Sequence, residues 1–142
     1  MSYQKLEQHQ QQLHRLSHLS AICGWDQAAM MPEGGNEARA EAMAELGVLI
    51  HGKRTAPELG DWIAKAESEP LDATQRANLA EIKRHWQDAS LLPSELVEAL
   101  SLAGSKCEHA WRRQRKENDW AGFAPNLEEV VRLSREVASL RA

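Results

Sequence analysis

The chain has 142 residues, 42% hydrophobic and 27% charged, which makes one domain or part of one, able to bury a core and too balanced for wholesale disorder. No apolar run approaches the ~18 residues of a membrane span, and the opening MSYQKLEQHQQQ lacks the apolar region of a secretory signal. A formal charge of −4 and a pI near 5.9 exclude the basic profile of a nucleic-acid binder, so the expectation is a cytoplasmic protein with no membrane and no nucleic-acid partner.

Val and Ile are scarce, aromatics are 5%, and Ala, Leu, Glu, Gln and Arg are common. That composition lowers the cost of helix and offers little to a sheet. The expected fold is all-α: an antiparallel helical bundle of about six helices with short loops and no sheet, residues 1–142 forming a single helical module.

The first helix is expected from about Tyr3 to Cys23, with Leu6, Leu13, Leu16 and Ser20 on one stripe. Gly24 to Gly35 breaks the pattern, because Pro32, Gly34 and Gly35 resist helix. Trp25 to Pro32 then reads as an apolar loop, with room for a helical turn, buried by its neighbours. A second helix runs from about Asn36, as N-cap, to His51, with Ala42, Leu46, Leu49 and Ile50 inward and Gly52 as its stop. Thr55 is expected to cap a short helix through Ala66, with Pro57 in its first turn and Leu59, Trp62, Ile63 and Ala66 on its apolar side.

Asp72-Ala73-Thr74-Gln75 has capping-box spacing and opens a helix to about Ala89 that carries Leu79, Ile82 and Trp86. Leu92-Pro93-Ser94-Glu95 starts what reads as the longest helix, reaching about Asn118 along a seam of Leu96, Leu100, Ala103, Cys107 and Trp111. Asn118 to Pro125 reads as a loop with Trp120 and Phe123. Asn126-Leu127-Glu128-Glu129 reads as a second capping box. The last helix, with Leu127, Val130, Val131, Val137 and Leu140, runs to Ala142 without a stop signal, as in a truncated chain.

Candidate chemistry is sparse. His14 and His18 lie four apart on one helical face, a metal-binding spacing. Zincins place Glu directly after the first His, and here that position is Arg15; a catalytic zinc also needs a third ligand. The pair reads as a polar helix face. Cys107, Glu108 and His109 are consecutive and point about 100° apart, so they do not converge on an ion. Arg112-Arg113-Gln114-Arg115-Lys116, answered by Glu117 and Asp119, reads as a solvated face. Cys23 and Cys107 read as reduced, buried small hydrophobes. The five tryptophans at helical spacing are expected in the core. No phosphate loop or nucleophile elbow occurs, so no catalytic residue and no metal ligand is assigned.

Two stretches are more specific than this composition. One runs from Leu19 through Gly24-Trp25-Asp26-Gln27-Ala28-Ala29-Met30-Met31-Pro32 to Gly34-Gly35, followed by Glu37-Ala38-Arg39-Ala40 and Leu49-Ile50-His51. The other is Ala110-Trp111-Arg112-Arg113-Gln114-Arg115-Lys116-Glu117-Asn118-Asp119-Trp120, continuing through Phe123-Ala124-Pro125 to Leu127. In content and order they resemble the N-terminal part of the carboxypeptidase Taq family, the thermostable-type HExxH metallocarboxypeptidases. Where the family usually has Glu-Thr, this chain has Ala28 and Ala29.

The resemblance implies mostly helical, cytoplasmic, typically dimeric enzymes that remove C-terminal residues from peptides. In them, zinc or cobalt is held by the two His of HExxH and a downstream Glu, and N-terminal helices flank the substrate groove. None of the six histidines here is followed by Glu, so no catalytic motif carries over and no cofactor is expected on this chain. Trp25, Asp26, Met30, Met31, Pro32, Trp111, Asn118 and Asp119 carry over as family signature with a structural role. Two functions are consistent with this reading. One is the N-terminal groove-wall or lid segment of a metallocarboxypeptidase, inactive alone and partnered by the rest of that enzyme. The other is a stand-alone helical interaction or oligomerisation module, with Val130, Val137 and Leu140 at a homo-oligomer contact.

Overall fold

With few β-branched residues, the backbone satisfies its polar groups locally: 96 of 114 backbone hydrogen bonds lie within helices. The computed structural model describes residues 1–142 and contains no strand. Its helices are α1 (Ser2–Ala29), α2 (Asn36–Arg54), α3 (Glu58–Ala66), α4 (Ala73–Ser90), α5 (Ser94–Glu117) and α6 (Trp120–Arg141), with one 3-10 turn at Glu33–Gly35. The all-α expectation and the number of helices hold. None of the helices is long and apolar enough to cross a membrane.

The core is off-centre. Tyr3 and Leu6 from the start of α1 meet Leu59, Ile63 and Ala66 of α3, Leu71 of the next loop and Leu79 of α4; Trp62, Ile82 and Trp86 pack around them. Leu6 and Leu59 are fully buried, each contributing about 1.5–3 kcal/mol by removal from water. Gly60 lets the Trp86 ring approach α3 closely, since a Cβ there would stand 3.2 Å from Trp86 Cζ2. The start of α1 has no side-chain cap of its own. Glu69, from the α3–α4 loop, supplies one: its Oε1 accepts Ser2 N–H at 2.5 Å and its Oε2 accepts Tyr3 N–H at 3.3 Å. A carboxylate at a helix N-terminus is also favoured by the helix dipole.

Several boundaries differ from those expected from sequence. α1 continues through Gly24 to Ala29 and, at 28 residues, is longer than the 24-residue α5. One glycine costs a helix about 1 kcal/mol, too little to end it, and Pro32 is the real barrier. α2 begins at Asn36 rather than being capped by it, passes Gly52 and ends at Arg54. Thr55 closes α2 instead of opening α3, its hydroxyl donating to His51 O at 2.9 Å. Pro57 stands just before α3. The Asp72–Gln75 capping box is present, with both reciprocal bonds at 2.9 and 3.0 Å. The second box is not: α6 starts at Trp120, capped by Asp119, and carries Pro125 inside it.

Burial also shifts. On α2 the inward side is Ala40, Ala44, Ile50 and His51, while Ala42 and Leu49 are exposed. On α5 the seam is buried at Leu96 and Cys107 but turns to Gln114, leaving Trp111 exposed. On α6 Leu133 is the buried residue, and Val131 and Leu140 are exposed. Cys107 is buried as expected; Cys23 is only half-buried.

Leu59→Ala is expected to destabilise the chain by about 2–5 kcal/mol in urea unfolding, the range for a truncated core leucine. Gly60→Ala, which pushes on the Trp86 ring, is expected to lose about 1–3 kcal/mol as an overpacked site.

Candidate functional site at the carboxyl end of the first helix

A helix end leaves its last carbonyls without intrahelical donors. At the end of α1 two of them are met by Arg112 of α5, while Arg39 of α2 bonds a carbonyl one turn earlier. Asp26 O accepts both Met30 N–H and Met31 N–H at 2.8 Å. Arg112 of α5 donates through Nη1 to Ala28 O at 3.0 Å and Gln27 O at 3.4 Å, while its Nη2 is held by Glu108 Oε1 at 2.8 Å. Arg39 of α2 donates through Nη1 to Cys23 O at 3.0 Å and pairs through Nη2 with Asp26 Oδ2 at 2.7 Å. Gln27 Nε2 donates to Asn36 Oδ1 at 3.2 Å. Two guanidiniums therefore sit at the negative end of the α1 dipole, where cations are favoured.

The signature residues collect at this end of the bundle. Pro32 is extended and stops the chain from continuing α1. Met31 is half-buried and lies over Gly35, where a Cβ would come within 3.2 Å of Met31 Cγ. Across the end, Asn118 adopts the left-handed conformation, φ 56°, that terminates α5. Asp119 N–H donates to Gln114 O at 2.8 Å, and Asp119 Oδ1 accepts Gly122 N–H at 2.9 Å to start α6. A Cβ on residue 122 would overlap the Asp119 carboxylate. Ala28 and Ala29 are exposed.

The large apolar side chains here face outward. Trp25 is 62% exposed, Met30 66%, Trp120 67% and Trp111 44%. The expected burial of the Trp25–Pro32 segment and of the tryptophans therefore fails at three of the five. Trp62 and Trp86 pack on the core, while Trp25, Trp111 and Trp120 keep much of their surface in water, Trp120 with the Phe123 ring 5.8 Å away between centroids.

The donor set does not form a metal centre. No group of three His, Cys, Asp or Glu side chains stands close enough together to hold an ion, and His14 and His18 are exposed on α1. Burial raises the Cys107 thiol above its ordinary range, away from the thiolate that a metal needs. The residues present do not fit the zinc or cobalt that the resemblance implies for a full-length enzyme.

Some contributors are invisible in the sequence. Arg112 reads as part of a solvated face, yet it crosses to α1. Arg39 lies within the first family-like stretch without an evident role; its signal is an unpaired cation shortly after a helix end rich in carbonyls. His51 is buried, its Nε2 donating to Leu92 O at 2.8 Å and so tying α2 to the α4–α5 turn. Gln114 Oε1 is buried without a hydrogen-bond partner. A groove of about 860 Å³ lies between α1, α2 and α4, lined by His14, His51, His85 and Asp88, and Arg141 closes one side through a 2.9 Å pair with Asp88.

The two signature stretches thus lie in an all-helical module whose apolar side chains are exposed around the clamped end of α1. The chain belongs to the carboxypeptidase Taq (M32) metallopeptidase family, whose model matches residues 5–142. It is 36% identical to thermostable carboxypeptidase 1 of Thermus thermophilus over 98% of its own length and 28% of that protein. It is similar to the solved structure of Trypanosoma cruzi metallocarboxypeptidase 1, at 40% identity and a TM-score of 0.77, over 99% of this chain and 28% of that one. The crystal structure of BsuCP shares the fold at a TM-score of 0.91, with 19% identity, again over 28% of its length. The chain thus spans about 28% of the relatives it matches.

Replacing Arg39 or Arg112 by Met is expected to cost about 1 kcal/mol each, as for a part-exposed charged hydrogen bond. The measurable consequence is faster amide exchange from Gln27 to Met31, with the α3–α4 core unchanged. In thiol labelling of the folded chain, Cys23 is expected to react well before Cys107.

Proposed function

We propose that this chain is the N-terminal groove-wall segment of a peptide-cleaving metallocarboxypeptidase, built as a single helical module and inactive alone. One observation carries the reading: the family match runs over residues 5–142, yet the same residues contain no set of metal ligands. The catalytic metal, zinc or cobalt, then belongs to the remaining part of such an enzyme. Bound there, such a metal would supply Lewis-acid polarisation of the scissile carbonyl. The residues of this chain contribute a rigid wall along the path of the peptide. Trp25, Asp26, Met30, Met31, Pro32, Trp111, Asn118 and Asp119 act structurally in it. Asp26 and Asp119 hold helix ends, and the apolar residues pack on the downstream part of the enzyme. The working compartment is the cytoplasm.

A second reading is a stand-alone interaction module that associates with itself or with a full-length relative. The bare apolar residues favour it, because large exposed patches drive association.

The purified 142-residue chain, supplied with zinc or cobalt and an unblocked peptide, is expected to release no C-terminal residue; release would overturn the proposal. Grafted in place of the matching part of the Thermus thermophilus relative, it is expected to support carboxypeptidase activity. Sedimentation of the isolated chain separates the readings. A tight, concentration-independent dimer supports the interaction module, and weak association growing with concentration supports a wall segment without its partner.

A further inference from the structure

Faces of three helices converge on the groove of about 860 Å³ between α1, α2 and α4, a volume in the range of small-molecule sites. α1 turns His14 and Ser17 to it, α2 turns Gly47 and Arg54, and α4 turns Trp86. Its floor is apolar. Leu13, Ile50 and Leu59 line it and are buried, and the half-buried Ile82 and Trp86 flank them. An apolar floor with a few polar groups at the rim is the usual composition of a ligand site.

The charges on the lining do not cancel. They are Arg54, Arg141 and Asp88. Asp88 is taken by Arg141 at 2.9 Å. Arg54 has no carboxylate within ion-pair distance, so one positive charge stands uncompensated beside the floor. A guanidinium presents a planar fork of donors that matches a carboxylate bidentately. His51, 7% exposed, also lines the groove; its Nε2 is occupied by Leu92 O at 2.8 Å, so Nδ1 is the polar ring atom that remains.

Gly47 keeps the groove open. It lies inside α2, where glycine weakens a helix relative to alanine, and no neighbour requires it, since a Cβ there would meet nothing within 4 Å. The cleft beside Trp62 is a poorer candidate. Its cations are already engaged, Lys5 over the Trp62 ring at 5.9 Å and Lys53 with Gln12 Oε1 at 3.4 Å.

We propose that the groove between α1, α2 and α4 binds a small organic anion, a single carboxylate carried on an apolar body, with Arg54 holding the carboxylate and Leu13, Leu59 and Trp86 receiving the body. The charge balance sets the occupant: one free guanidinium over an apolar floor complements one negative charge attached to hydrocarbon. Two sources share that chemistry, a free aryl or alkyl carboxylic acid and the carboxyl end of an apolar peptide. The inference goes beyond the groove-wall reading and does not depend on it, because every residue it uses belongs to this chain.

The test is calorimetric titration of the 142-residue chain with 4-phenylbutyrate, 4-phenylbutanol and acetyl-Ala-Phe, with the indole N–H resonances of the five tryptophans followed by NMR. 4-Phenylbutyrate is expected to bind, to shift Trp86, and to leave Trp25, Trp111 and Trp120 in place. Arg54→Gln is expected to weaken it about tenfold, the loss of one charge-assisted bidentate contact, and the uncharged alcohol is expected to bind as weakly to the unaltered chain. Gly47→Leu is expected to fill the groove and abolish binding without lowering the unfolding midpoint. Gly52→Leu, the same replacement on α2 outside the groove, is expected to leave binding unchanged. Binding of 4-phenylbutyrate without acetyl-Ala-Phe supports the site and assigns it to a free acid; equal binding of both supports it and assigns a peptide end. Equal affinity for acid and alcohol, shifts confined to Trp25, Trp111 and Trp120, undiminished binding to a folded Gly47→Leu chain, or no binding at all overturns the proposal.

Discussion

The arrangement of α1 against α2 and α5 depends on how its carboxyl end is satisfied. A 28-residue helix that stops at a proline presents several carbonyls with no helical donor. Here Arg112 of α5 donates to two of them and Arg39 of α2 donates to Cys23 O one turn earlier, and each is itself held by a carboxylate, Asp26 for Arg39 and Glu108 for Arg112. The charge on each guanidinium strengthens the bond to the carbonyl and is favoured by the helix dipole. Without those contacts the last turn of α1 would fray, and the direction in which Trp25 and Met30 project would be lost.

The bundle therefore has two unlike ends. One is closed by the Leu6, Leu59, Ile63 and Leu79 cluster and by Glu69, which caps α1 from across the α3–α4 loop. The other is held mainly by polar contacts to backbone and leaves its bulky apolar side chains outside. On the groove-wall reading, the hydrogen-bonded backbone presents the apolar side chains to the rest of the enzyme in a set geometry.

Much of the local structure is legible from residue order. The Asp72–Gln75 box, the Pro93 start of α5, the Asn118 stop, and the Leu6–Leu13 and Leu59–Ile63–Ala66 stripes all arise from contacts between residues within one or two turns. The misreadings share a cause. Gly24 and Gly52 look like breaks because a glycine weakens a helix, but the tertiary bonds of Arg39 and Arg112 and the packing of Ile50 and His51 outweigh a cost of about 1 kcal/mol. Trp25, Trp111 and Trp120 are expected inside because tryptophan is usually buried. In this fold no neighbouring helix buries them.

Composition, helical periodicity and the WDQ–MMP stretch, taken alone, decided the all-α class and the family. These depend on local propensity and on an ordered pattern of side chains, which the chain carries without folding. Folding decided which carbonyls meet which arginines, that Glu69 rather than a neighbour caps α1, and that the signature residues line one bare end. Those outcomes depend on residues tens of positions apart coming within hydrogen-bond distance, and only the packing of α1 against the other helices brings them there.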